Sequence, residues 1–91
     1  MSRYIATYDV SSDRQRDRLA KLLQRYGERL QLSVFEVWLD ADDLEEFRIG
    51  VGSLLSGDDE FDLIPVDERP NRVRLRWQRP LQHAAAVVVL Q

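Results

Sequence analysis

The stretch "YIATYDVSSDRQRDR", residues 4–18, places one carboxylate, Asp9, just ahead of Arg14, Arg16 and Arg18. A guanidinium is a planar fork of donors that matches the oxygens of a phosphate. These three arginines, with Arg29 further on, could therefore contact phosphates. The alternative is helix-surface pairing with Asp13, Asp17 and Glu28. Asp9 on its own reads as a turn residue that accepts nearby backbone amides ahead of a helix. The question is why an acid should stand beside a row of cations.

The elements that must position these residues follow from the apolar pattern. Residues 3–10, "RYIATYDV", are rich in β-branched and aromatic side chains and predict a strand. Ile5, Thr7 and Asp9 share one face of it, and Tyr4, Ala6, Tyr8 and Val10 the other. Ser12 with Gln15 makes a capping-box pattern, and Leu19, Leu22, Leu23 and Tyr26 give the buried stripe of a helix over about residues 13–26, with Gly27 as its stop. Arg14, Arg18, Lys21 and Arg25 form a second stripe, about 120° from the leucines at about 100° per residue. Such a stripe is either a solvated face or a face that tracks phosphates.

"RLQLSVFEVWLD", 29–40, is the strongest strand signal. Phe35, Val37 and Leu39 alternate with Leu32, Val34 and Trp38, so both faces look covered. Helices can cover one face, and a second copy of the chain is the economical cover for the other. Residues 41–55 predict a second helix on Leu44, Phe47, Val51, Leu54 and Leu55. "FDLIPVDE", 61–68, predicts a third strand, with Pro65 hinting at an edge or bulge. Pro70 and Asn71 mark a turn, "RVRLRW" (72–77) a strand with one wet face, and "AAAVVVL" (84–90) a last strand. The order predicts an α+β sandwich with both helices on one face of a sheet.

Ninety-one residues make one domain. The expected division is a core over residues 1–80 and a C-terminal strand segment over 81–91, with no obvious partner in its own chain, that completes a dimer by adding to the sheet edge of a second copy. There are no cysteines, which excludes disulfides, thiolate catalysis and cysteine zinc sites and fits a cytoplasmic protein. The N-terminus reads directly into a strand, without a signal-peptide pattern. The longest apolar run is far short of the roughly 20 residues of a membrane span. The net charge of −3 hides an asymmetry. Residues 1–39 carry 7 basic and 5 acidic side chains, 40–68 carry 1 and 11, and 69–91 carry 5 and none. The ends could form a positive surface while the middle repels phosphates, or the acids could be a solvated helix.

"YDVSSDRQRDRLAKLLQRYGERLQLSVFEVWL" resembles the small CRISPR-associated endoribonucleases of spacer acquisition. The features are a strand ending in Tyr-Asp, a Ser-rich turn, an Arg-rich helix, Tyr-Gly and then Arg-x-Gln-x-Ser-Val-Phe-Glu. They cover about residues 3–40, and "LIPVDER" (63–69) is a second match. The resemblance implies a ferredoxin-like fold, an antiparallel sheet with two helices on one face, in a homodimer. That fold needs two strands between its helices, so residues 29–40 should reverse near Ser33. It also implies metal-dependent phosphodiester hydrolysis in some members, and in others a bridge between dimers of the CRISPR integrase protein. Carried onto this chain, Asp9 is the metal-linked acid, and Tyr8, Arg16, Arg18, Arg29, Ser33 and Phe35 fall at the site or its nucleic acid; Arg14 is a candidate phosphate contact from its place in the arginine row alone, with surface ion pairing as its equal alternative.

Asp9 alone is a weak ligand for Mg2+ or Mn2+, but waters and phosphate oxygens complete an octahedral shell, and a two-fold axis would bring in a second Asp9. The metal would then polarise a phosphate and activate water. Paired carboxylates could equally be structural, or could share a proton. Phe35 could stack a base or belong to the core or dimer interface, and Ser33 could steer a phosphate or satisfy a backbone group at a bend. Trp38 and Trp77 read as packing residues, and His83 as a solvated loop residue. Three functions remain open: a nuclease acting on RNA or double-stranded DNA, a non-catalytic scaffold that holds duplex DNA for the integrase, and an unrelated binding module on the same fold.

Overall fold

The computed structural model describes residues 1–66 in full and the backbone of residues 74–77 and 87–90. The elements are β1 (Ser2–Asp9), α1 (Asp13–Gln24), β2 (Gly27–Gln31), β3 (Val34–Leu39), α2 (Ala41–Gly52), β4 (Glu60–Pro65), β5 (Arg74–Trp77) and β6 (Val87–Leu90). The first four strands form one sheet in the order β2-β3-β1-β4, with every pairing antiparallel. This is the α+β sandwich that the order of elements predicts and the ferredoxin-like arrangement that the resemblance implies.

The sheet's helix-covered face carries the core. Ala6, Tyr8, Phe35, Val37 and Leu39 are buried there against Leu19, Ala20 and Leu23 of α1 and Phe47 and Val51 of α2. The parity read for β1 holds, with Ala6, Tyr8 and Val10 inside. α1 begins where the capping pattern puts it: the Ser12 hydroxyl accepts the Gln15 N–H at 3.3 Å. In α2 the Asp43 carboxylate reaches back to the Asp40 N–H at 3.1 Å, satisfying a donor at the helix start.

Residues 29–40 do reverse. β2 ends at Gln31, Leu32 and Ser33 turn, and β3 starts at Val34, with a register irregularity between Arg29 and Gln31. Leu32 is thus no strand residue but an exposed turn tip, 85% accessible. Gly27 does not stop α1, which ends at Gln24, but opens β2. A Cβ there would collide with the Glu36 carbonyl of β3, so glycine is needed for close strand approach. The second helix stops at Gly52, short of 55.

The other sheet face is less apolar than alternation suggests. Glu36 is buried at 2% exposure, and the Arg3 guanidinium pairs with it at 3.3 Å while lying 5.6 Å from the Trp38 ring. A buried charge persists only with such a partner.

β6 pairs in parallel with β5, from Arg74 opposite Val87 to Trp77 opposite Leu90. The last strand therefore has a partner in its own chain, which corrects the expectation that it has none. Residues 67–73, 78–86 and 91, including Pro70, Asn71 and His83, lie outside the described residues, and so do the side chains of Trp77 and its strand. No helix among the described residues is long and apolar enough to cross a membrane.

Candidate nucleic-acid and metal site

The site forms where β1 leaves the sheet. Asp9 is the last residue of β1 and is exposed. It borders a cavity of about 500 Å³ that Tyr8, Val10, Arg16, Asp17, Arg29, Leu32 and Ser33 also line. Two distant segments meet here because the β2–β3 turn is tied to β1. The Tyr8 N–H donates to the Ser33 carbonyl at 3.1 Å, and the Tyr8 hydroxyl donates to the Leu32 carbonyl at 3.2 Å. That brings Asp9, Arg29 and Ser33 around one opening although more than twenty positions separate Asp9 from Ser33 in the chain.

The residues named from the sequence fall into three groups. Asp9, Arg16, Arg29, Ser33 and Tyr8 line the cavity. Arg14 and Arg18 lie outside it, exposed on α1, and among the described residues neither has an ion-pair partner. The pairing of Arg14 or Arg18 with Asp17 or Glu28, open in the sequence, is not formed. Phe35 is completely buried, so the core alternative is the one its position satisfies.

Tyr8 is largely buried too. Its ring stacks against Phe61 at 6.1 Å and near Phe35 at 6.4 Å. Arg29 is exposed, with its guanidinium 5.2 Å from the Phe35 ring centroid. Phe35 thus serves the cavity indirectly, as the platform under a cation.

Arg16 differs from its neighbours. Its guanidinium donates to the carbonyls of Val10 at 2.7 Å and Ser11 at 3.1 Å and pairs with Asp13. Sequence reasoning missed Asp59, whose carboxylate accepts the Ser11 N–H at 3.1 Å. Nothing local marks it among the acids of 40–68. It also missed Glu60, which stands directly opposite Asp9 in the β1–β4 pairing.

No group of three metal-ligating side chains exists among the described residues. The exposed Asp9 carboxylate beside an open cavity nevertheless suits Mg2+ or Mn2+, hard ions that keep several waters and take one or two carboxylates with phosphate oxygens. The donor set fits a hydrated ion shared with a phosphate, not a closed protein cage.

A model of the family described as CRISPR associated protein Cas2 matches residues 1–74. The chain belongs to the Cas2 family. It is 47% identical over 88 residues to a CRISPR-associated endonuclease Cas2 of Thermus thermophilus, covering 96% of this chain and 94% of that one. It is 38% identical over 68 residues to a CRISPR-associated endoribonuclease Cas2 of Archaeoglobus fulgidus, covering 72% of each. Among solved structures, a hypothetical protein of Thermus thermophilus superposes with a TM-score of 0.70 at 45% identity, over 72% of this chain and 82% of that one. A chain from a partial Cas6–RT–Cas1–Cas2 complex superposes with a TM-score of 0.67 at 26% identity, over 75% of this chain and 76% of that one. These likenesses confirm the resemblance read from residues 3–40 and extend it along the Cas2 fold.

Proposed function

We propose that this Cas2-family protein is a homodimeric nucleic-acid-binding protein that works with the CRISPR integrase in spacer acquisition and hydrolyses phosphodiesters at a Mg2+ or Mn2+ ion held by Asp9. The observation that carries this is the convergence of Asp9, Arg29 and Ser33 on one cavity, with Arg14 and Arg18 exposed alongside. Asp9 would hold the ion. Arg29 and the Ser33 hydroxyl would orient the phosphate. The ion, when bound, would polarise the phosphate and supply an activated water. RNA and double-stranded DNA both present the phosphates this arrangement needs.

Two features support a dimer. Asp9 shares the sheet face of Ile5 and Thr7, opposite the helices, so a two-fold axis against that face would bring two Asp9 carboxylates together. β4 lies at the edge of the four-stranded sheet, where a second chain can add.

The test is cleavage of labelled single-stranded RNA and duplex DNA, with and without Mg2+ or Mn2+, by the wild type and Asp9→Ala. Metal-dependent cleavage that the variant loses supports the nuclease. Cleavage that survives in the variant removes Asp9 from the chemistry.

A second reading, a non-catalytic scaffold holding duplex DNA for the integrase, draws on the unpaired Arg14 and Arg18 outside the cavity and the single carboxylate of β1 at its mouth. Intact duplex binding without cleavage by either protein would favour it.

A further inference from the structure

The Val10–Ser11 link that carries the chain from Asp9 into α1 is gripped from two sides. From α1, Arg16 Nη1 donates to the Val10 carbonyl at 2.7 Å and the Ser11 carbonyl at 3.1 Å, and Nη2 pairs with Asp13. From the loop before β4, Asp59 Oδ1 accepts the Ser11 N–H at 3.1 Å while Oδ2 accepts the Ser56 N–H at 3.0 Å. Val10 itself is anchored in the core at 3% exposure.

The ladder cannot do this job alone. The β1–β3 register ends at Thr7, so by Asp9 only β4 still pairs with β1. Beyond Asp9 the chain leaves the sheet, and its next two carbonyls and the Ser11 N–H would otherwise be free to rotate. Arg16 and Asp59 satisfy all three. Both terminal nitrogens of Arg16 are engaged in this grip, whereas Arg14 and Arg18 are free among the described residues.

We infer that Arg16 and Asp59 are positioning residues that fix the Asp9 carboxylate at the mouth of the cavity, and that Arg16 is not a phosphate ligand. The inference rests on the reading of Asp9 as the metal-holding acid. A hydrated ion held by few protein carboxylates depends on how each is positioned, and loss of an outer partner typically costs about 10–100-fold in metal affinity.

The test uses the full chain and the variants Arg16→Ala, Asp59→Ala and Asp58→Ala. Asp58→Ala removes the same charge one residue away from an exposed side chain. Three quantities are read: Mn2+ affinity by calorimetry, the salt dependence of duplex-DNA binding, and Ser11 amide exchange by NMR. We expect Mn2+ affinity to fall about tenfold in Arg16→Ala and Asp59→Ala and to hold in Asp58→Ala. Ser11 exchange should quicken at least tenfold in Asp59→Ala. The log–log salt slope should be the same for Arg16→Ala as for wild type. A slope shallower by about 1 in Arg16→Ala would make it a phosphate ligand and overturn the inference. So would unchanged Mn2+ affinity in both clamp variants, or unchanged Ser11 exchange.

If the wild type takes up no Mn2+, the metal reading of Asp9 fails by itself. The grip is then judged by the Asp9 carboxyl carbon shift, which should move in both clamp variants and not in Asp58→Ala; an unmoved shift refutes it. Arg16→Lys and Asp59→Asn keep part of the grip, and should show smaller changes of the same sign if the alanine variants do not fold.

Discussion

Asp9 and Glu60 stand directly opposite one another across the β1–β4 pairing, two acids on one sheet face. Cross-strand neighbours of like charge repel, and directly opposed pairs are worth a few tenths of a kcal/mol to about 1 kcal/mol. A strand end shaped only for stability would not put them there. A cation between or beside them reverses the sign of the interaction. Glu60→Gln should therefore raise the melting temperature of the metal-free protein slightly, and Mg2+ should stabilise the variant less than the wild type. Differential scanning calorimetry with chelator and with millimolar Mg2+ reads both. A Glu60→Gln protein less stable than wild type in chelator would show that the acids do not oppose each other.

Phe35 lies fully buried under the Arg29 guanidinium. Phe35→Ala should destabilise the fold by about 3–5 kcal/mol, the usual cost of emptying a large aromatic site. Phe35→Leu should keep most of the fold, and with it nucleic-acid binding. Denaturant midpoints and duplex-binding constants for the two variants decide between core and contact. Strong loss of binding in a well-folded Phe35→Leu would mean that the ring meets a base.

Arg14 and Arg18 are exposed, and nothing among the described residues neutralises them. If the α1 stripe tracks a backbone, each alanine variant should weaken duplex binding for any sequence and flatten the log–log salt slope by about 1. Stability should stay within about 0.5 kcal/mol of wild type, as for surface changes away from special contacts. Binding isotherms at several salt concentrations check this, and an unchanged slope in both variants would return the stripe to the role of a solvated face.

Much of this was legible in the sequence because it depends on local pattern. The parity of β1, the Ser12 cap and the leucine stripe of α1 are short-range facts, and residues 3–40 carry the family's order of motifs. The reversal at Leu32 and Ser33 was legible only because two strands were needed between the helices; the apolar run itself is unbroken. What stayed hidden depends on distant partners. Gly27 has the look of a helix stop, and only the approach of the Glu36 carbonyl explains it. Glu36 is a lone acid in an apolar run, and only the placing of Arg3 beside it accounts for its burial. Asp59 is one acid among many in the sequence, and its value lies in a hydrogen bond to a residue 48 positions away. The row of arginines looks uniform, yet the fold spends Arg16 on backbone carbonyls and leaves Arg14 and Arg18 in solvent.

Among the described residues, Glu36 is the buried acid, and Arg3 pairs with it inside the sheet. Glu36 is 2% exposed and the Arg3 side chain 19%, so both are largely removed from water. Removing one partner leaves the other buried and charged, which costs about 3–5 kcal/mol, whereas replacing both with apolar groups of similar size is often neutral or stabilising. Arg3→Met alone should therefore lower stability by several kcal/mol, and Arg3→Met combined with Glu36→Leu should recover only part of the loss, because both residues make further contacts. Urea unfolding of the two single variants and the double variant closes the cycle. Full recovery would be the signature of an isolated pair; a double variant no better than Arg3→Met would mean that Glu36 serves a wider network on this face of the sheet, and that the acid is kept for what it organises there.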